Sequence, residues 1–364
     1  MEIQATGNTG ILTMKIQSLY HTYQRSRTLR TNIITALPIV ILMPHSACNC
    51  RCVMCDIWKG NKNLKQLTEA DVAGLMRSLK KFRTVQVVMS GGEAILHPNF
   101  FTLCGILKKN HLKITLLTSG HAIKRHAEML VKYVDDIIIS LDGDDTVHNR
   151  IRNIENAFEK TRESVHLIKS LKPGYHLSGR TVIHQFNFNI WPKIIDAAKD
   201  MKLDSISFLP ADVTSTAFNH AAGWDDTIKD QLLIGAEQLP VLKKIIEELI
   251  HVYANDFATG YIKEPPEKIW KIYEYYAAFA GLNEFPYRKC NAPWVSAVIE
   301  ADGSVKPCFF HDAIGNIRGN TLDQILNSAE AIRFRQQLNI DENPVCKRCV
   351  CSLNLPPGVN PAAY

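Results

Sequence analysis

The sequence predicts an α/β fold, a partial (β/α)6 barrel followed by a small C-terminal α+β domain. Between residues 38 and 209, short apolar runs alternate six times with helical stretches. That order belongs to a parallel sheet covered by helices. Six units are too few for a closed eight-stranded barrel and imply an open one. From residue 286 the composition turns to Cys, Gly and turn formers, which marks a second, smaller unit.

Residues 1–35 read as an N-terminal extension and 36–215 as the barrel. Its expected strands are 38–43, 85–90, 113–118, 136–141, 176–184 and 205–209, separated by helices over 68–81, 99–109, 123–133, 153–171 and 191–201. Residues 216–285 form a helical bridging region, broken at Pro265–Pro266. Its Trp270, Tyr273, Tyr275 and Tyr276 have helical spacing and read as packing residues. Residues 286–352 form the second domain. There, alternation over 295–300 before Asp302–Gly303 predicts a hairpin with a type I′ turn, and a helix follows over 322–338. The Pro-rich end, 353–364, reads as an irregular tail.

Hydrophobic residues make up 46% and charged residues 21% of the 364, which suits a protein with a sizeable buried core. The net charge of +6 is modest, and no Lys/Arg run is interleaved with aromatics, so no nucleic-acid partner is expected. A slightly basic surface suits an acidic redox protein. The N-terminus lacks the charged start and apolar core of a signal peptide. The apolar stretch 33–43 is too short to span a bilayer and contains Pro38. A cytoplasmic protein with no membrane partner is therefore expected. In that compartment ten cysteines point to metal rather than to disulfides.

Cys48, Cys52 and Cys55 follow the first strand at C-x3-C-x2-C spacing, with Cys50 between them. Three thiolates on one loop suit three irons of a [4Fe–4S] cube, where the usual complement is four. The missing ligand leaves an iron open to a bound molecule. The alternative is zinc with Cys50 as fourth ligand. Gly91 and Gly92 close the second strand, where the lack of Cβ atoms admits a ligand, and Glu93 adds a carboxylate at the active end of such a barrel.

These motifs resemble the radical S-adenosylmethionine (SAM) superfamily. The resemblance implies that Cys48, Cys52 and Cys55 ligate the cluster and that SAM binds its open iron. Gly91, Gly92 and Glu93 match the family's GGE motif, which receives the methionine amino group. Met54 stands where that family often has an aromatic residue near the adenine. Ser119 replaces the Asn of a T-N-G turn. Ser140 resembles a ribose or carboxylate contact, with Asp142 either a turn cap or a second contact. Arg152, with Arg150 as fallback, resembles the arginine that pairs with the SAM carboxylate, and Leu209 the adenine wall. Asn187 and Asn189 are further candidates for SAM, though loop polar residues are usually solvated.

In the C-terminal segment Cys290 and Cys308 flank the hairpin, and Cys346 and Cys349 form a C-x2-C knuckle. Four thiolates in two pairs suit a zinc ribbon or an iron–sulfur cluster. The C-x12-G-x4-C pattern followed by C-x2-C resembles the SPASM and twitch extensions of radical SAM enzymes. The shorter twitch form, as in enzymes of the 2-deoxy-scyllo-inosamine dehydrogenase type, implies one auxiliary [4Fe–4S] cluster on these four thiolates.

The resemblance implies an iron–sulfur oxidoreductase served by a flavodoxin- or ferredoxin-type reductant. It implies cleavage of SAM to a 5′-deoxyadenosyl radical, hydrogen abstraction from a C–H bond, and an auxiliary cluster that takes an electron from the substrate. The expected outcome is dehydrogenation or crosslinking of a sugar-like small molecule or a peptide. The short stretch before the first strand favours the small molecule, because peptide-modifying relatives often carry a leader-binding domain there. One alternative is a peptide epimerase or maturase, with Cys50 or Cys351 as hydrogen donor. Another, of a different class, is a non-catalytic zinc or iron–sulfur protein.

Overall fold

Apolar and β-branched residues at alternate positions form strands wherever turn residues bound them. In the computed structural model these are β1 (Ile39–Leu42), β2 (Gln86–Met89), β3 (Lys113–Thr118), β4 (Asp136–Ser140), β5 (His176–Ile183) and β6 (Ser205–Pro210). The C-terminal part adds β7 (Ser296–Ile299), β8 (Ser304–Lys306) and β9 (Gly315–Asn316). The model describes residues 8–220 and 223–359, with side chains from Leu19 onward. Residues 1–7 of the expected extension and 360–364 of the expected tail lie outside the described residues.

One sheet of nine strands runs β6-β5-β4-β3-β2-β1-β7-β8-β9. Strands β1 to β6 pair in parallel in sequence order. β7 continues the sheet parallel to β1, with Ile39 opposite Ser296, and only β8 and β9 run antiparallel. The second domain thus extends the barrel wall rather than standing apart from it.

Side chains alternate across this sheet. Val40, Leu42, Val87, Met89, Ile114, Leu116, Ile137 and Ile139 face the helices and form the main core. Ile41, Val88, Leu117, Ile138, Arg180 and Val298 face a lumen. The helices covering the outside are amphipathic. That over Glu69–Lys81 buries Val72, Leu75 and Leu79 and starts at a capping box between Thr68 and Asp71.

Several expectations are corrected. A helix over Asp145–Arg152, capped by Asp144, precedes the one over Ala157–Leu171, because Asn153 and Asn156 both adopt positive φ and break the run. The expected N-terminal extension contains a helix, Asn8–Thr31. In the β7–β8 turn Gly303 has positive φ but Asp302 does not, which rules out type I′, a turn that needs both. Asp302 instead accepts the Ser304 amide at 3.0 Å. The helix expected over 322–338 splits into Leu322–Leu326 and Ala329–Gln337, because Ser328 caps the second. In the bridging region Tyr275 and Tyr276 are buried, and their hydroxyls donate to Ala211 O (3.0 Å) and Ile183 O (2.5 Å). They hold the ends of β5 and β6. No helix is long and apolar enough to cross a membrane among the described residues.

Strand direction sets where the cysteines go. Cys48, Cys52 and Cys55 lie beyond the C-terminal end of β1. Cys290 lies before the N-terminal end of β7, which is parallel to β1. Cys308 follows β8, which is antiparallel to β7, so it returns to that same end. The two cysteine sets therefore occupy opposite ends of one barrel.

Candidate active site

The loop after β1 is tied down on three sides. Cys48 N donates to Asn61 Oδ1 (3.0 Å) while Asn61 Nδ2 donates to Cys48 O (2.8 Å). Arg51 N and Val53 N donate to the carbonyls of Arg152 and Ile151, at 3.3 and 3.1 Å. Glu93 N donates to Ala47 O at 2.8 Å. A Cβ on Gly92 would collide with the Ala47 carbonyl, and Gly91 has φ +115. Gly92 thus admits the chain just before Cys48, and Gly91 lies against Met43 and the His45 carbonyl. Glu93 is what faces inward. Its Oε2 accepts from Ser119 N (2.8 Å) and Ser119 Oγ (2.6 Å), while Oε1 is buried without a partner.

Cys50 and Cys52 are buried, and Cys48 and Cys55 half-buried. Burial pushes the Cys55 thiol up to about 12. A hydrogen bond with Cys48, partly offset by Cys52, raises Cys50 to about 12. Thiols held this high stay protonated near neutral pH unless a cation replaces the proton, which is what an iron cluster does. Among the described residues no three Cys, His, Asp or Glu side chains converge on a single-ion point. A cube of four irons asks its thiolates to stand wider apart than one zinc does.

Arg152 is buried beside this loop. Its Nη2 pairs with Asp142 Oδ2 and its Nη1 lies 3.5 Å from Cys52 Sγ, while Nε has no partner. Asp142, left open as a turn cap or a ligand contact, is the buried counter-ion of Arg152; Asp144 is the cap. Arg150 lies outside, over the Phe186 ring at 4.7 Å. Asn187 is buried, donating to Asp142 O and Val182 O at 2.9 Å each. Its side chain is spent on the fold, and Asn189 is exposed. Met54 packs against Ala211, Val213 and Leu232 just beyond β6. Ser140 and Leu209, on β4 and β6, are half-buried. Glu93, Ser119, Arg152 and the cysteine loop thus gather at one end of the barrel.

At the other end Asn291 acts as a clasp. It exchanges hydrogen bonds with Leu355 at 2.9 and 2.8 Å, and its amide donates to Leu353 O at 2.8 Å. This draws the segment after Cys349 back against Cys290. Asn343 Oδ1 caps the turn carrying Cys346, and His311 Nε2 lies 3.4 Å from Cys346 Sγ. Burial pushes Cys308 to about 11 and Cys346 to about 12. Cys290, Cys308, Cys346 and Cys349 all border one lumen cavity of about 230 Å³.

Sequence reasoning missed three residues of this lumen, Gln86, Arg180 and Arg288. Cys351, the exposed thiol that the sequence offered as a hydrogen donor, also borders the cavity. Gln86 lies on β2. A period-two pattern marks Arg180 and Gln86 as inward-facing, but nothing local marks Arg288. His121 was also missed: its Nδ1 lies 3.5 Å from the Cys50 thiol.

Comparison with known proteins matches residues 42–198 to the radical SAM superfamily and residues 290–350 to SPASM, an iron–sulfur cluster-binding domain. The antilisterial bacteriocin subtilosin biosynthesis protein AlbA of Bacillus subtilis (strain 168) is 24% identical over 322 residues, covering 83% of this chain and 64% of AlbA. An S-adenosylmethionine-dependent nucleotide dehydratase of Fibrobacter sp. (strain UWH6) is 24% identical over 182 residues, 45% of this chain and 52% of that protein. The chain thus spans less than two thirds of the length of either relative. Among solved structures, Streptococcus suis SuiB bound to its precursor peptide SuiA superposes with a TM-score of 0.61 at 14% identity, covering 97% of this chain and 78% of SuiB. That likeness speaks to the fold.

Proposed function

We propose that this chain, a member of the radical SAM superfamily carrying a SPASM domain, is an oxidoreductase that uses SAM to abstract hydrogen from a substrate C–H bond. The observation that supports the reading is the placement of two cysteine sets at opposite ends of one barrel, the second bordering its lumen.

In this proposal Cys48, Cys52 and Cys55 hold the catalytic [4Fe–4S] cluster. Cys290, Cys308, Cys346 and Cys349 hold the auxiliary one. When bound, the first cluster with SAM supplies one-electron cleavage to methionine and a 5′-deoxyadenosyl radical, and the second supplies an electron acceptor. Glu93 Oε1, buried and unpartnered, receives the SAM amino group, and Ser119 holds that carboxylate in place. Arg152 places its charge beside Cys52 and the SAM carboxylate. Met54, Ser140 and Leu209 line the nucleoside side. The apolar lumen wall of Ile41, Val88, Leu117 and Ile138 excludes water from the reacting carbon. One electron enters from a flavodoxin- or ferredoxin-type protein. One hydrogen atom leaves with 5′-deoxyadenosine, and the substrate loses a second electron and a proton.

A peptide substrate is favoured by the likeness to AlbA, which covers 83% of this chain. A small molecule is the second reading, supported by the match of the barrel half to a nucleotide dehydratase. Cys351, which borders the lumen, is what an epimerase reading would use as hydrogen donor.

The test is anaerobic reconstitution followed by an assay for 5′-deoxyadenosine with SAM and dithionite. Formation by the wild type and loss in Cys55→Ser supports the reading. No 5′-deoxyadenosine from an iron-loaded protein overturns it.

A further inference from the structure

We propose that Arg180 and Arg288 form a binding site, within the lumen, for the anionic group of the ligand seated there, a carboxylate or a phosphate ester. The inference rests on the reading of the lumen as the substrate site.

Both arginines border a cavity that carries the second cysteine set at one end and is walled elsewhere largely by Ile39, Ile41, Val88, Leu117, Ile138 and Val298. A cation in such surroundings is costly unless a hydrogen-bonded anion faces it. Neither arginine has one from the chain. Arg180 projects from the middle of β5 and donates through Nε to Ser207 Oγ at 3.1 Å. Glu264 feels its charge, but the Glu264 carboxylate accepts from Phe208 N at 2.9 Å. Arg288 lies with its guanidinium carbon 6.0 Å from the centre of the Tyr275 ring. Its Nε and Nη2 are buried without a hydrogen-bond partner. No ion pair within 4.0 Å is formed by either arginine among the described residues.

The two arginines come from segments far apart in the chain yet border one cavity. A third group marks the same space. Gln86 is buried and donates through Nε2 to Thr115 Oγ1 at 2.8 Å, which leaves Oε1 buried and unpartnered. Gln86 borders the same cavity and offers an acceptor to an N–H or O–H of the bound ligand. The ligand class is therefore an anion on an apolar body, with a hydrogen-bond donor. Arg288 also stands near Cys349 and shares the charge of a cluster bound there. Arg180, on the β5 wall, takes the ligand, so its variants separate the two roles.

The experiment is calorimetric titration of the anaerobically reconstituted holoenzyme with hexanoate, hexyl phosphate and 1-hexanol. These share an apolar chain and differ in the head group. A charge-assisted pair is worth enough for an anion preference on the order of tenfold or more over the alcohol. The tighter of the two anions identifies the head group. In Arg180→Gln the preference falls to near parity, and Arg180→Lys restores part of it, with iron content reporting that each variant is folded and loaded. Equal affinity for all three, no binding of any, or a preference that survives Arg180→Gln overturns the site. The wild-type comparison alone decides against it if the variants do not fold. Wild type that cleaves SAM without anion preference keeps the radical reading and removes this one. Anion preference without SAM cleavage does the reverse.

Discussion

Gly92 shows how one missing methyl group organises the candidate active site. Its backbone lies against Ala47, and Glu93 N bonds the same carbonyl. Cysteine loop and GGE turn therefore form one unit. Gly92→Ala forces the two apart. The cost expected for such overpacking is on the order of 2 kcal/mol, read as a lower unfolding midpoint together with iron lost from the first cluster. A second residue-scale expectation concerns His184. It is buried, its Nδ1 accepts from Phe186 N at 3.3 Å, and burial pushes its pKa down to about 3. The folded state thus holds it neutral, while the unfolded chain protonates it near 6.5. Its contribution to stability is complete above 6.5 and is lost as pH falls toward 3. Between pH 7 and 5 that loss amounts to about 2 kcal/mol. Unfolding free energies from urea titrations at the two pH values should differ by that much less in His184→Gln than in the wild type.

At the scale of elements, the β7–β8 hairpin places Cys290 and Cys308 by pairing with β1, and Asn291 clasps the C-terminal segment that follows Cys346 and Cys349. Asn291→Ala removes the two side-chain hydrogen bonds to Leu355. The predicted result is loss of about half of the iron, the four of the auxiliary cluster, with SAM cleavage retained. Iron analysis and the 5′-deoxyadenosine assay on one preparation check it. This is also the scale at which the sequence is most legible. β3 and the helix over Ile123–Tyr133 have the expected bounds, since apolar alternation and helical periodicity are local signals. The helix over Asp145–Arg152 was hidden because its D-G-D-D start also spells a turn; only the Asp144 side chain on Val147 N shows it to be a cap.

Over the whole molecule, the two cysteine sets occupy opposite ends of one barrel. Their spacing was readable along the chain, but their placement was not. It depends on β7 running parallel to β1, and periodicity does not encode strand direction. For the same reason nothing in the sequence joins Arg180 to Arg288; β5 and the segment before Cys290 bring them to one cavity. What the sequence showed of the candidate site was its covalent motifs; the space between them is a property of the fold.

That space is tested most directly by counting iron and assaying SAM cleavage in the wild type, Cys52→Ala and Cys349→Ala after anaerobic reconstitution. The account predicts about eight irons in the wild type and about four in each variant. Cleavage should be abolished in Cys52→Ala and retained in Cys349→Ala, with oxidised product absent from both. About four irons in the wild type, or cleavage that survives Cys52→Ala, would contradict the account of one barrel with a cluster at each end.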